Sequence, residues 1–281
     1  MGGGVTGPLG QYLFDEEGIV PDWLVPYRLL ASGIFILSGL FVKRGPVIFD
    51  VWRCKRDAVQ MLVYSVAGMM TVQYVFFVAV EASNGGTATV LQYTNPVMII
   101  LYMVVFKKVR PTKKEAAAVM LALIGIFLLS TNGNLYSLVI TPRGLFLGLL
   151  CAFFTCLYSI LPQKLLEKYD AVSVCGWSML VGGIVLSLWK RPWTIGGGDV
   201  KVLGLFLVLV FLGTILPFAL SLLSIPIIGP MYANVLASIE PVVASLLTFF
   251  FLGTTFGGFE LLGFALIIVM ILILSLNKNE E

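Results

Sequence analysis

The chain has 281 residues, of which 59% are apolar and 12% charged, with a formal net charge of +3. A soluble domain carries roughly 25% charged residues, so this composition excludes an ordinary soluble fold and leaves no length over for a soluble domain beside a membrane bundle. Histidine is absent, which removes His-based triads, most zinc sites and imidazole proton relays together.

A membrane-crossing helix needs roughly 20 apolar residues. In chain order, apolar runs predict spans at 3–14, 24–42, 59–80, 86–106, 115–131, 144–163, 171–189, 202–224, 230–252 and 259–276. Turn chemistry separates them: Asn84-Gly85-Gly86, Asn132-Gly133-Asn134, Gly196-Gly197-Gly198, Pro226 with Gly229-Pro230, and Gly257-Gly258. The segment Pro46–Asp57 mixes aromatic residues with Arg53, Lys55 and Arg56 and reads as a short helix lying in the interface. The first run is short. Its Gly-rich residues before Asp15-Glu16-Glu17 cover about 21 Å at 1.5 Å per residue, less than the roughly 30 Å hydrocarbon core. The expectation is a chain whose first helix starts upstream of Met1.

Basic residues set the expected orientation. With both termini in the cytoplasm, Lys43, Arg44, Arg53, Lys55, Arg56, Lys107, Lys108, Arg110, Lys113, Lys114, Lys164, Lys168 and Lys278 fall inside, and Arg143, Lys190, Arg191 and Lys201 outside. The expected location is the cytoplasmic membrane, multi-pass.

The second half repeats the first. Shifted by 145 residues, Ala88–Ser130 falls on Ala233–Ser275 with twelve of 43 positions identical, among them Pro96/Pro241, Val97/Val242, Phe106/Phe251, Glu115/Glu260 and Ser130/Ser275. Five spans per half is odd, so the second half enters from the opposite side. The expected fold is an all-α polytopic membrane protein of ten transmembrane helices in two inverted five-helix repeats, residues 1–131 and 142–276. Secondary transporters are often built so, with the solute between the repeats.

Two stretches carry a family resemblance: Gly229-Pro230-Met231-Tyr232-Ala233-Asn234-Val235-Leu236-Ala237-Ser238-Ile239-Glu240-Pro241-Val242, and Ala88-Thr89-Val90-Leu91-Gln92-Tyr93-Thr94-Asn95-Pro96-Val97. Both are similar to the "small-x-x-L-x-x-x-x-P-V" helix of EamA-type proteins in the drug/metabolite transporter superfamily, and Leu262-Gly263 resembles its final helix. The chain departs from that pattern at Leu252-Gly253-Thr254-Thr255, where the family often has Leu-Gly-Glu-Arg. It departs again at Val5-Thr6-Gly7, where members usually carry a full first helix with a Trp-Gly pair. The resemblance implies ten helices around a central cavity and export of amino acids or other small organic metabolites.

Polar residues inside spans are the site candidates, because amides and hydroxyls facing lipid are costly. Gln73, Tyr74 and Phe77 in the third span, Gln92, Tyr93 and Asn95 in the fourth, Tyr158 in the sixth, and Asn234, Ser238 and Glu240 in the ninth form an expected substrate-binding set. Aromatic walls with a few directed polar groups suit an amphipathic organic solute. Interhelical hydrogen bonding that merely holds the bundle is the alternative for each of them. Glu240, near the expected midplane, either exchanges a proton or meets a substrate amine, or else caps backbone freed by Pro241; its repeat partner Asn95 cannot titrate. Arg28 either snorkels to the outer headgroups or points inward at an anion. Pro96, Pro217 and Pro241 interrupt helices and serve either as gate hinges or as static kinks.

Cys54, Cys151, Cys156 and Cys175 have no metal-ligand spacing, and no nucleotide motif occurs; Gly196-Gly197-Gly198 lacks the Gly-Lys-Ser/Thr end of a P-loop. No cofactor, metal or nucleic acid is expected. The expected partners are the bilayer and a small solute, with uphill movement drawn from proton coupling or exchange. An intramembrane enzyme would need a nucleophile–base pair or paired Asp within the spans, and neither exists. A scaffold, a channel or a fragment remains the other reading.

Overall fold

The computed structural model describes residues 3–106, 108, 111–131, 140–196, 199–216, 240–253 and 256–277. Within this range it is built of helices joined by short turns. The helices are α1 (Gly3–Asp15), α2 (Pro21–Arg44), α3 (Lys55–Ala82), α4 (Gly85–Gln92), α5 (Asn95–Phe106), α6 (Lys113–Thr131), α7 (Pro142–Ile160), α8 (Ala171–Lys190), α9 (Val200–Ile215), α10 (Glu240–Leu252) and α11 (Gly258–Asn277). Four stretches among the described residues are long and apolar enough to cross a membrane: Pro21–Trp52, Lys55–Ala82, Pro142–Leu166 and Ala171–Lys190. Phe250 and Phe251 of α10, Leu188 of α8 and Phe146 of α7 are all more than 60% exposed. A water-soluble surface would not carry so many large apolar side chains; a lipid-facing one does.

The 145-residue repeat is written into the helix boundaries. α3 and α9 start at Lys55 and Val200, and α6 and α11 at Lys113 and Gly258. Even an irregularity repeats. Both α3 and α9 widen into a π-helical segment, Tyr64–Met70 and Phe211–Ile215, whose last residues are again 145 apart. The matched glutamates have matched work. Glu115 accepts from the Thr112 backbone N–H at 2.7 Å, and Glu260 from that of Gly257 at 2.6 Å. Each reaches back over the first turn of its helix, satisfying a donor that the helix itself leaves unpaired.

Two repeat-related pairs, α2/α8 and α6/α11, pack together, and both are antiparallel. In α2/α8, a methyl group on Gly33 would lie 2.6 Å from the Leu180 nitrogen, Gly183 abuts Leu30, and Gly176 abuts Ile36 and Leu37. As numbers rise along α2 they fall along α8. In α6/α11, Gly125 abuts Ile267 and Gly263 abuts Leu129, the same reversed order. Glycine lets the backbones touch where no aqueous hydrophobic effect is available to drive helix association. Two equivalent helices running in opposite senses are what an inverted repeat requires. The ends of α2/α8 are tied as well: Lys190 to Asp22 at 3.1 Å and Arg44 to Asp170 at 2.9 Å. Each acid sits at a helix N-terminus and each base at a C-terminus, which also opposes the helix dipoles.

The expected fourth span is two helices. α4 stops at Gln92, Tyr93 leaves the helical region with ψ of 2°, and the Thr94 hydroxyl donates to the Leu91 carbonyl at 2.7 Å. α5 then restarts with Pro96 in its first turn, where a missing N–H does no harm. The described part of the ninth span, Glu240–Leu252, is helical and includes Pro241. The interfacial segment is a 3-10 helix, Gly45–Trp52. It is fastened to α8 by the Trp177 indole, which donates to the Ile48 carbonyl at 2.7 Å and packs edge-on against Phe49 and Trp52.

Candidate functional site

The polar centre of the bundle is built on Arg28. The side chain is 3% exposed, so it does not snorkel to the headgroups; of the two orientations open to it from the sequence, it takes the inward one. Its Nε donates to the Thr214 hydroxyl at 2.7 Å and its Nη1 to the Gln73 side-chain oxygen at 3.3 Å. The guanidinium carbon lies 5.0 Å from the centre of the Phe77 ring, within cation–π range. Phe77 is fully buried, with Phe14 edge-on and Gly10 close beside the ring. Gln73 and Phe77 are one turn apart on α3 and meet the same cation. Thr214 belongs to the π segment of α9, and its hydroxyl donates to the Leu209 carbonyl at 3.3 Å. Close by, the Thr6 hydroxyl of α1 donates to the Gly213 carbonyl at 2.9 Å. The site therefore joins α1, α2, α3 and α9, drawing from both repeats.

Tyr74 belongs to a separate network. Its hydroxyl donates to Asp22 at 2.6 Å, and Lys190 reaches the same carboxylate while lying 4.8 Å above the Tyr74 ring. Gln92 donates to the Thr155 hydroxyl of α7 at 3.3 Å, and Tyr93 packs partly buried against an apolar cluster drawn from α4, α5, α6 and α11. Tyr158 lies against Tyr64 of the α3 π segment, ring centres 5.7 Å apart. Asn95 is half-buried at the start of α5. Asn234, Ser238 and Pro217 lie outside the described residues; Glu240, Pro96 and Pro241 are described in their backbone only. Ala244, one turn beyond Glu240, is fully buried.

Two further clusters sit at opposite ends of the bundle. At the end where α1 finishes and α9 starts, Lys201 pairs with Glu17 and donates to the Tyr12 hydroxyl at 3.0 Å. At the other end, where α7 finishes and α3 starts, Lys168 reaches both oxygens of Asp57 at 3.1 Å and the Tyr169 hydroxyl donates to Asp57 at 2.8 Å. Asp57 is 5% exposed. Burial and then the Asp57 hydrogen bond push the Tyr169 phenol up to about 12, so it stays a neutral donor at physiological pH. Each cluster links a loop of one half to the first turn of a helix in the other half, and each holds one acid, one lysine and one tyrosine. Sequence reasoning used Lys168 and Lys201 only for topology. The pairing of Arg28 with Thr214, 186 residues apart, left no local signal.

Known proteins place this architecture. The EamA-like transporter family matches residues 4–131 and 142–276. The inner membrane transporter YicL of Salmonella typhimurium is 34% identical over 279 residues, covering 99% of this chain and 93% of that protein. The threonine/homoserine exporter RhtA of Escherichia coli K12 is 24% identical, covering 90% of this chain and 81% of that protein. A protein of known crystal structure superposes with a TM-score of 0.65 at 17% identity, covering 98% of this chain and 96% of the other, which shows a shared fold. These matches identify no enzyme; they identify membrane transporters. The chain belongs to the EamA-like transporter family.

Proposed function

We propose that this protein is a secondary active exporter of amino acids or related small organic metabolites, working by alternating access, with residues 1–131 and 142–276 as the two moving bodies. The observation that carries this reading is the pair of charged latches at opposite ends of the bundle, Lys201–Glu17–Tyr12 and Asp57–Lys168–Tyr169. A gate on each side of a central site, each spanning the two halves, suits a carrier that opens one end at a time. The substrate class is supported by the name of the threonine/homoserine exporter relatives and by the aromatic and amide groups of the third and fourth spans. Pro96 and Pro241, matched in the repeat, and Pro217 serve as the gate hinges, and the break between α4 and α5 lies beside Pro96. The thirteen-to-four charge bias puts the Asp57 latch and both termini in the cytoplasm. Uphill movement draws on protons, with Glu240 as the titrating group, or on exchange.

The test is counterflow in proteoliposomes loaded with unlabelled amino acids and organic acids. A carrier accumulates labelled solute transiently as the loaded pool leaves. A scaffold shows no uptake, and a channel shows uptake without acceleration by the loaded solute. Glu240→Gln separates the coupling modes: counterflow with unchanged pH dependence removes the proton role and leaves exchange.

A further inference from the structure

Among the described residues, Arg28 is a cation buried without an anion. A guanidinium has five N–H donors. The two seen to be engaged meet neutral acceptors, Thr214 and Gln73, and the ion's face lies on the neutral Phe77 ring. Among the described residues no carboxylate forms an ion pair with it. The nearest acid on its own helix, Asp22, is already held by Tyr74 and Lys190. Neutral dipoles offset only part of the several kcal/mol that burying a charge costs, so the position is electrostatically incomplete.

Three neighbouring features fit a bound anion. Ser32 is one turn along α2 from Arg28, on the same face; it is fully buried, and its hydroxyl has no hydrogen-bond partner. Gln73 turns its oxygen to Arg28, and its amide nitrogen has the Met69 sulfur at 3.9 Å as partner, a weak acceptor that an oxygen anion would displace. Thr214 sits in a π segment, a wide turn that recurs at functional positions. Arg28 lies about 10 Å along α2 from its start, and the Gly33–Leu180 crossing about 8 Å further, at 1.5 Å per residue. The cation is thus inside the bilayer depth and close to the plane where the two halves cross.

We propose that Arg28, with Gln73, Thr214 and Ser32 around it, is the subsite that receives the carboxylate of the transported solute. The substrates are then small organic acids and zwitterionic amino acids, and amines or neutral amides are excluded. This rests on the transport reading above. Arg28 supplies the charge and a planar fork matched to two carboxylate oxygens; Ser32 and the Gln73 amide supply further donors.

The experiment is counterflow with a panel of amino acids and small organic acids, each paired with its methyl ester or amide. The expected result is acceleration by the free carboxylates and at least tenfold less by the paired derivatives. Arg28→Gln should lower carboxylate exchange at least thirtyfold and Arg28→Lys about tenfold. Because Arg28→Gln leaves Thr214 and Gln73 without their donor and can impair folding, Gln73→Glu is the deciding variant. It places an internal carboxylate on Arg28, so thermal stability should hold or rise while carboxylate exchange falls at least tenfold. A merely structural Arg28 predicts the same stability with exchange intact. Equal exchange of acids and their esters, or wild-type exchange by Gln73→Glu, overturns the carboxylate subsite and leaves transport standing. A panel in which no solute exchanges overturns the transport reading, and the subsite with it.

Discussion

Lys201 and Asp57 stand one residue apart in the register of the repeat, at the first turns of α9 and α3, and carry opposite charges. Each is gripped by a loop of the other half: Lys201 by Glu17 after α1, Asp57 by Lys168 after α7. The two latches are the same device with the signs exchanged, facing opposite ends of the bundle. Opposite-end gates with equal strength would leave the two states balanced, and weakening one should tip the balance toward opening that end.

Asp57→Asn is therefore expected to favour opening at the Lys168 end. Lys168 is 55% exposed on its side chain, so the pair is partly screened and is worth about 1 kcal/mol, a shift of roughly fivefold in population. Cys156 on α7, near the same end, is 4% exposed. Its maleimide labelling rate should rise about two- to tenfold in Asp57→Asn and stay level or fall in Lys201→Gln.

Tyr169 gives the latch a defined alkaline limit. Burial and the Asp57 hydrogen bond push its phenol up to about 12, against about 10 for a free tyrosine. A proton held more tightly in the folded state means that stability is fully present below pH 10 and is lost as pH rises from 10 through 12. An ultraviolet difference titration of wild type against Tyr169→Phe should show one phenol ionising near pH 12. The variant should lose less stability than wild type across that window.

Gly33→Ala and Gly39→Ala make a controlled pair on α2. A methyl group at Gly33 would press on the Leu180 backbone at 2.6 Å, whereas at Gly39 it would meet open space. The first should destabilise by about 1–3 kcal/mol through overpacking of the α2/α8 crossing. The second should be neutral or gain about 0.5–1 kcal/mol from helix propensity. Thermal unfolding in detergent reads both.

Glu115→Ala and Glu260→Ala each remove the acceptor for an otherwise unpaired backbone donor at a helix start. A loss of about 1 kcal/mol is expected for each. Glu260 should be the costlier, because at 8% exposure water cannot replace it as easily as at Glu115. Unfolding of the single variants checks the order.

The architecture was legible in the sequence because lipid imposes long apolar runs and the repeat preserves register: the matched Glu115 and Glu260 fell on equivalent helix starts and equivalent caps. Why that glutamate is matched emerged only in the fold, where Glu115 and Glu260 each cap a helix start. Gln73 and Phe77 were visible as polar and aromatic residues on one helical face. Their common partner was not. Arg28 meets Thr214 across 186 residues, and a contact of that span has no periodicity to betray it. The latches were hidden for a related reason: a lysine at a helix end looks the same whether it marks topology or grips a carboxylate in the other half.

If the two halves open one end at a time, locking one latch shut must stop exchange. In a Cys54→Ser background, which removes the exposed native thiol, cysteines placed at Glu17 and Lys201 can be joined by a short bifunctional thiol reagent in proteoliposomes. Counterflow should stop when the bridge forms, and return when a cleavable bridge is cut, while the uncrosslinked double variant still exchanges. Undiminished counterflow through the bridged protein would contradict the account.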